Sequence, residues 1–200
     1  MHSYQVNKTI ELAKKKGVIR PRDLDEFKIP RKSLNRLFHA GIFRRVARGL
    51  YELTDIHPTD RHTFAEVARR IPNCVICLLS ALNLYGLTSH LPHEVWVAIN
   101  VKARYPKEPS LPMRIMRFSG KSLTSGVVRK QIEGVKVKVY NPAKTVADCF
   151  KYRNKIGKDV AIESLRDCLE QRLCTVDDLR KYAKICRVAN VMKPYLEALI

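Results

Sequence analysis

The most informative part of the sequence is residues 29–53, which read IPRKSLNRLFHAGIFRRVARGLYEL. The stretch holds six Lys or Arg residues and one acidic residue, and it ends in a short apolar segment. At about 100° per residue, a helix over residues 31–40 places its polar and apolar side chains on different sides. The polar side holds Arg31, Lys32, Asn35, Arg36 and His39, and the apolar side holds Leu34, Leu37 and Phe38. This separation predicts a helix that packs through one face and presents the other to a ligand.

The residues around this helix predict a winged helix-turn-helix. Gly41 ends the helix, and Phe43–Ala47 and Leu50–Leu53 follow as two short strands joined by the tight-turn pair Arg48-Gly49. Upstream, residues 4–16 predict a helix that Gly17 stops, and Pro21 suits the first turn of a second, short helix. The order helix, helix, helix, hairpin within about 55 residues is that of a winged helix.

The polar face of the third helix has the chemistry needed to read duplex DNA. Arg31 and Arg36 can bind guanine O6 and N7, and Asn35 can pair with adenine. Lys32 and His39 suit phosphate contacts, and the wing arginines lie beside a glycine that permits close approach. The predicted DNA-binding residues are Arg31, Lys32, Ser33, Asn35, Arg36, His39, Arg44, Arg45, Arg48 and Gly49.

The charge of the chain supports a polyanionic partner. Lys and Arg number 38 against 19 Asp and Glu, which gives a formal net charge of +19. No run approaches the roughly 18 apolar residues of a membrane span, and the N-terminus lacks the apolar core of a signal peptide. We therefore expect a cytoplasmic protein with no membrane partner. Duplex DNA is favoured over RNA, since no aromatic stacking platform is evident.

The second part of the chain predicts a mixed α/β domain, so the fold class is α+β. The polar segment TDIHPTD, residues 54–60, suggests a boundary that separates a winged helix over 1–56 from an α/β domain over 57–200. Apolar patterns predict helices near 60–70, 74–86, 158–171 and 175–199, and strands at 94–100, 113–118 and 135–140. A further helix begins at Asn141-Pro142, an N-cap followed by proline.

The second domain is basic as well. Its basic residues between the first strand and the third are Lys102, Arg104, Lys107, Arg114, Arg117, Lys121, Arg129 and Lys130. These residues predict a C-terminal basic surface that either extends the DNA footprint or binds RNA or an acidic protein. The sequence leaves these alternatives open.

Catalytic and metal sites are not indicated. Cys74 and Cys77 form a CxxC without a second pair at matching spacing, so core packing is the favoured role of the cysteines. His90 and His93 flank a proline in a loop and do not form a helical zinc motif. Lys144 and Asp148 are spaced as an ion pair on a helix surface. We therefore expect no enzyme, no cofactor and no metal.

Three stretches together resemble the AbiEi-type antitoxins of type IV toxin–antitoxin systems. They are FRRVARGLYEL, LLSALNLYGLTSHLPHEVWVAI and VKVYNPAKTVADCFKYRNKIGKDVAIESLRDCL. The resemblance implies an N-terminal winged helix that represses its own operon at an operator, expected to hold inverted repeats. It also implies a C-terminal domain that counters a nucleotidyltransferase-like toxin without a stable complex. The antitoxin is expected to be a monomer or weak dimer, and the alternative is an RNA- or protein-binding module, or a stand-alone regulator, without a toxin partner.

Overall fold

The computed structural model describes residues 2–54, 61–90, 92–106 and 111–200, with side chains from residue 5 onward. The chain divides into two compact units. The first comprises Met1–Arg69 with Gln131–Lys136, and the second comprises Arg70–Lys130 with Val137–Ile200. The fold class is α+β, as the sequence predicts, with a winged helix followed by an α/β unit.

The first unit contains the predicted order of elements and one further strand. In chain order these are α1 (His2–Lys16), β1 (Val18–Ile19), a 3₁₀ helix (Pro21–Phe27), α2 (Lys32–His39), β2 (Phe43–Ala47), β3 (Leu50–Leu53) and α3 (His62–Arg70). β3 lies between β1 and β2 and is antiparallel to both. The helices pack on this sheet around a core that includes Leu12, Leu24, Leu34 and Phe43.

Both ends of α3 make polar contacts with the winged helix. Arg69 donates a hydrogen bond of 2.8 Å to the carboxylate of Asp23 in the 3₁₀ helix. At the other end, His62 contacts Glu52 of β3 at 2.7 Å. α3 therefore clusters with the first unit, although the sequence analysis assigned its residues to the second domain. The predicted boundary at residue 56 lies outside the described residues and stays a prediction.

The second unit is built on a mixed sheet. Its elements are β4 (Val75–Ile76), α4 (Leu78–Tyr85), β5 (Val95–Asn100), β6 (Met113–Phe118), α5 (Gly120–Thr124), β7 (Val127–Ile132), β8 (Val135–Tyr140), α6 (Pro142–Lys151), α7 (Arg153–Ile156), α8 (Lys158–Glu170), α9 (Val176–Cys186) and α10 (Ala189–Glu197). The strand order is β6–β5–β4–β8–β7, with β4 antiparallel to β5 and parallel to β8. The Asn141 side chain caps α6 as predicted, since its Oδ1 accepts a hydrogen bond from the Lys144 N–H.

α6 is the central helix of the second unit. Every side chain from Ala143 to Phe150 is buried, and the surrounding core includes Leu82, Trp96 and Leu165. Cys77, Cys149, Cys168 and Cys186 lie in the same core, where they act as small apolar side chains. Burial raises the pKa of the Cys77 and Cys149 thiols well above the ordinary value.

Two helix predictions were wrong in their bounds. The apolar run at 74–86 begins as β4, where Ile76 pairs with Val139, and turns helical only at Leu78. A strand buried on both faces is as apolar as a buried helix, so composition does not distinguish them. The helix predicted over 175–199 is divided into α9 and α10 at Arg187, whose φ is +61°. Arginine at a left-handed helix end carries none of the signal that glycine gives.

The Lys144–Asp148 pair is an ion pair, but its predicted surface position was wrong. Both side chains are fully buried, and Lys144 Nζ lies 2.5 Å from an Asp148 carboxylate oxygen. The Lys144 ammonium also lies 4.1 Å from the ring centre of Tyr140. The Cys186 thiol donates to the second carboxylate oxygen at 3.2 Å. Burial raises the pKa of Asp148, an effect that the Lys144 ammonium opposes.

Replacing only one member of this pair should destabilise the protein strongly. We expect Lys144→Met to lower the free energy of unfolding by about 3–5 kcal/mol, because it leaves the Asp148 carboxyl buried without its cation. The double variant Lys144→Met/Asp148→Leu should recover most of that loss, since it removes both charges together. Chemical denaturation of the two variants and the natural protein measures the difference. A single variant as stable as the natural protein would contradict this account.

Candidate nucleic-acid interface

α2 separates its side chains as the periodicity predicts. Leu34 and Leu37 are buried in the core of the first unit, and Phe38 is half-buried with its ring edge-on to Tyr51. The polar side chains predicted to read DNA remain exposed along the helix. They are Lys32, Asn35, Arg36 and His39, with Ser33 half-buried beside them. We call these four exposed residues the α2 face.

Arg31 is part of a local ion pair and does not lie within α2. It occupies the position before the helix, and its guanidinium donates hydrogen bonds of 3.0 and 2.5 Å to the Asp25 carboxylate. The hydrogen bonds from Arg31 lower the pKa of Asp25. This pair joins the 3₁₀ helix to the start of α2, so Arg31 orients the helix as well as adding charge.

Asn35 of the α2 face contacts the three-stranded sheet of the first unit. The Tyr51 hydroxyl of β3 donates to Asn35 Oδ1 over 3.5 Å, a long and weak hydrogen bond. The amide nitrogen of Asn35 is the hydrogen-bond donor that an adenine N7 would require. The contact therefore favours one orientation of the side chain without a strong bond that DNA would have to break.

All three wing arginines are exposed, and Arg44 differs from the other two in its ion pair with Glu52. Arg45 and Arg48 are exposed, and Arg45 Nε donates to the Ala47 carbonyl at 3.3 Å. Gly49 has a φ of +72°, and a Cβ there would meet nothing within 4 Å. The open space at the tip allows close approach of a nucleic-acid backbone.

Arg44 is paired with the buried Glu52, although the Arg44 side chain itself is exposed. The two residues are directly opposite each other on β2 and β3, and the Arg44 guanidinium donates to the Glu52 carboxylate. Glu52 is 3% exposed and also binds His62. Arg44 therefore neutralises a buried acid, a role that the sequence analysis did not predict.

His62 joins two carboxylates, and neither contact was predicted. Its Nε2 lies 2.7 Å from Glu52, and its Nδ1 lies 2.7 Å from Glu133 in the turn between β7 and β8. These two hydrogen bonds outweigh the effect of burial and raise the pKa of His62 to about 9. Burial by itself would raise the pKa of Glu52. The hydrogen bonds from His62 and Arg44 have the larger combined effect, so the pKa of Glu52 lies below its ordinary value. The imidazolium thus holds the wing strand, α3 and this turn together within the first unit.

The residues of the predicted C-terminal basic surface do not form one cluster. Arg114 lies over the Trp96 ring at 4.8 Å on the edge strand β6, and Lys130 lies over the Tyr85 ring at 4.1 Å on the opposite edge strand β7. Arg117 donates to loop carbonyls, including that of Ala103 at 2.5 Å. Lys102, Arg104, Lys121 and Arg129 are exposed, and Lys107 lies outside the described residues. Their role stays a prediction.

Neither a metal cluster nor a membrane-spanning helix is found among the described residues. They contain no group of three or more His, Cys, Asp or Glu residues that could hold a metal ion. Across the same ranges, no helix has the length and apolar character required to span a membrane. The α2 face and the wing are therefore the site that the geometry of the first unit defines.

The first unit has the order of elements of a winged helix. Residues 7–54 match the family model described as "Transcriptional regulator, AbiEi antitoxin", which confirms the predicted resemblance over this segment. The fold is similar to that of the RV2827C protein from Mycobacterium tuberculosis, known from a crystal structure. The TM-score is 0.61 at 11% identity, covering 98% of this chain and 80% of that one. A comparison with curated proteins gave no match.

The stability contributed by His62 should depend on pH. The pKa of about 9 in the folded protein exceeds the ordinary histidine value of 6.5. This stabilisation is therefore complete below about pH 6.5 and is lost as the pH rises through about 9. We expect His62→Gln to lower the free energy of unfolding by about 2–3 kcal/mol at pH 6 and by much less at pH 10. Urea denaturation of both proteins at the two pH values checks this, and a difference independent of pH would contradict it.

Proposed function

We propose that this protein is an antitoxin that binds operator DNA through its winged helix and represses its own toxin–antitoxin operon. The observation that carries the proposal is the α2 face, which joins exposed cationic and amide side chains on one helix beside a wing with exposed arginines. The family match over residues 7–54 supports the regulator and antitoxin role. The net charge of +19 favours association with a polyanion.

In this proposal α2 enters the major groove, which is about 12 Å wide and admits a single helix. Arg36 and Asn35 read base edges, since guanidinium and amide groups match guanine and adenine. Lys32 and His39 bind phosphates on either side, and Arg31, held by Asp25, supports the start of the helix. The side chains that anchor α2 face the core, so DNA binding requires no change in its packing.

The wing contributes charge rather than sequence readout. Arg45 and Arg48 are placed to contact phosphates, and Gly49 lets the backbone of the turn approach the DNA closely. Arg44 contributes indirectly, because its bond to Glu52 offsets the negative charge of that carboxylate near the wing. The wing therefore increases affinity for any duplex, while α2 selects the operator.

The antitoxin activity is assigned to the second unit. We propose that it counters a nucleotidyltransferase-like toxin without forming a stable complex, as the AbiEi resemblance implies. The gene next to this one should therefore encode a nucleotidyltransferase-like protein.

Base readout by α2 can be tested on the full chain. We expect Asn35→Ala/Arg36→Ala to weaken binding to the DNA upstream of its gene by about 100-fold, since each bidentate contact contributes about 1–3 kcal/mol. Binding to an unrelated duplex should fall much less. Arg180→Ala, which removes an exposed arginine from α9 in the second unit, is the matched control. Equal operator binding by the double variant and the control would rule out α2 as the reading helix.

The wing can be tested by salt dependence. Arg45→Ala and Arg48→Ala should each reduce the slope of log K against log salt by about 1, because each removes one phosphate contact. Arg44→Ala should change that slope less, since the Arg44 side chain is bound to Glu52. Fluorescence anisotropy on one duplex at several salt concentrations measures all three slopes. An Arg44→Ala effect larger than that of Arg48→Ala would contradict these assignments.

A further inference from the structure

The second unit contains a cleft in which basic side chains from different elements meet. The cleft has a volume of about 580 Å³, within the range of roughly 300–1,000 Å³ of small-molecule sites. Its lining residues are Ser119, Gly120, Lys121, Ser122, Lys151, Lys184, Ile185 and Arg187. We call it the four-cation cleft, after its three lysines and one arginine. No acidic residue is among the described residues that line it.

The four cations reach the cleft from three places in the fold. Lys121 lies in α5 directly after β6, Lys151 is the last residue of α6, and Lys184 lies in the last turn of α9. Arg187 follows α9 in the left-handed conformation, with a φ of +61°. The short helix α5 and the C-terminal ends of α6 and α9 therefore meet at one cleft although they are far apart in the sequence.

The cations of the cleft have no carboxylate in salt-bridge contact among the described residues. Within the described residues, no salt bridge joins any of the four to a carboxylate, whereas Arg31, Arg44, Arg69 and Lys144 each have one. Lys151 lies 5.9 Å from the ring centres of both Phe118 and Tyr152, which position its ammonium without cancelling its charge. Bringing like charges together is unfavourable, and an anion in the cleft would relieve that repulsion.

Stabilisation of helix C-termini explains only part of this arrangement. A cation in the last turn of a helix stabilises the helix by offsetting the partial negative charge there. Lys151, Lys184 and, in the short helix α5, Lys121 all fit that role, but the role does not require three helix ends to meet at one cleft. The absence of a carboxylate from the described lining also has no explanation in helix capping.

The polar lining indicates which anion suits the cleft. Ser122 Oγ is buried and has no hydrogen-bond partner among the described residues, a state that is energetically unfavourable. Phosphate oxygens accept hydrogen bonds from hydroxyl groups and bind ammonium and guanidinium ions strongly. Ile185 is the apolar member of the described lining, which holds no aromatic side chain to stack on a base. The lining therefore recognises phosphate groups rather than the base of a nucleotide.

We propose that the four-cation cleft binds a small ligand with several linked phosphate groups, of the nucleoside triphosphate class. One phosphate carries about −1.5 to −2 charges at neutral pH, so four clustered cations suit a chain of phosphates better than a single one. Phosphate binding at this cleft is a property separate from DNA binding by α2. None of the residues of the α2 face lines the cleft, so the two properties can be tested independently.

Isothermal titration of the full chain in magnesium-free buffer tests the proposal with inorganic triphosphate, ATP and AMP. We expect saturable 1:1 binding of triphosphate and ATP with similar affinity, and AMP at least ~10-fold weaker. Lys121→Gln/Lys184→Gln should weaken triphosphate binding by at least ~10-fold, since both ammonium groups face the ligand. Lys193→Gln on α10, which removes a lysine paired with Glu197 outside the cleft, should leave it unchanged.

Three results would overturn the proposal. One is the absence of saturable triphosphate binding by the natural protein. Another is equal weakening by Lys193→Gln and by the cleft variant, which would mean that general positive charge attracts the ligand. The third is a cleft variant that loses affinity for duplex DNA but keeps its affinity for triphosphate, which would make the cleft part of a DNA footprint. Thermal melting of each variant confirms that these exposed substitutions leave the protein folded.

Discussion

The buried carboxylate of Glu52 is the constraint on which the first unit depends. A carboxylate removed from water costs several kcal/mol unless cations and hydrogen-bond donors surround it. Glu52 lies on the central strand of the wing sheet and receives Arg44 from β2 and His62 from α3. His62 in turn contacts Glu133. Tyr51, the neighbour of Glu52, contacts both Phe38 and Asn35 of α2, so the position of the α2 face depends on the same strand.

The small number of acids divides the basic residues into two groups. With 19 Asp and Glu residues against 38 Lys and Arg, carboxylates can neutralise only part of the positive charge. Buried or structural carboxylates orient Arg31, Arg44, Arg69 and Lys144. Other cations remain exposed without a salt bridge in the described residues, including Lys32 and Arg48 in the first unit and Lys184 in the second. The first group stabilises the fold, and the second group is available to anions.

The elements that the sequence predicts well are those whose signals are local. β2 and β3 have the predicted bounds because strand residues flank a turn pair, and the separation of faces on α2 follows from its periodicity. The two-residue strands β1 and β4 carry no such signal, since only their partners define them. In the same way, no local pattern shows that Lys144 and Asp148 lie inside the core.

The pairing of Glu52 with Arg44 depends on an irregularity in β2 that the sequence does not reveal. A regular hairpin closed by Arg48-Gly49 would place Arg45 opposite Glu52. The irregularity between Arg45 and Ala47 shifts the register, so that Arg44 takes this place and Arg45 faces the other side. The sequence analysis treated the three wing arginines alike, whereas the structure gives Arg44 a separate role. His62 and Glu133 are 71 residues apart, and their contact follows only from the tertiary fold.

Methylation interference on the DNA upstream of its gene tests the central claim most directly. Guanine N7 lies in the major groove, where the account places Arg36. The account predicts that methylation of guanine N7 at a few positions of the operator prevents binding of the full chain. Binding that tolerates N7 methylation throughout the bound region would contradict it, because α2 would then not read the major groove.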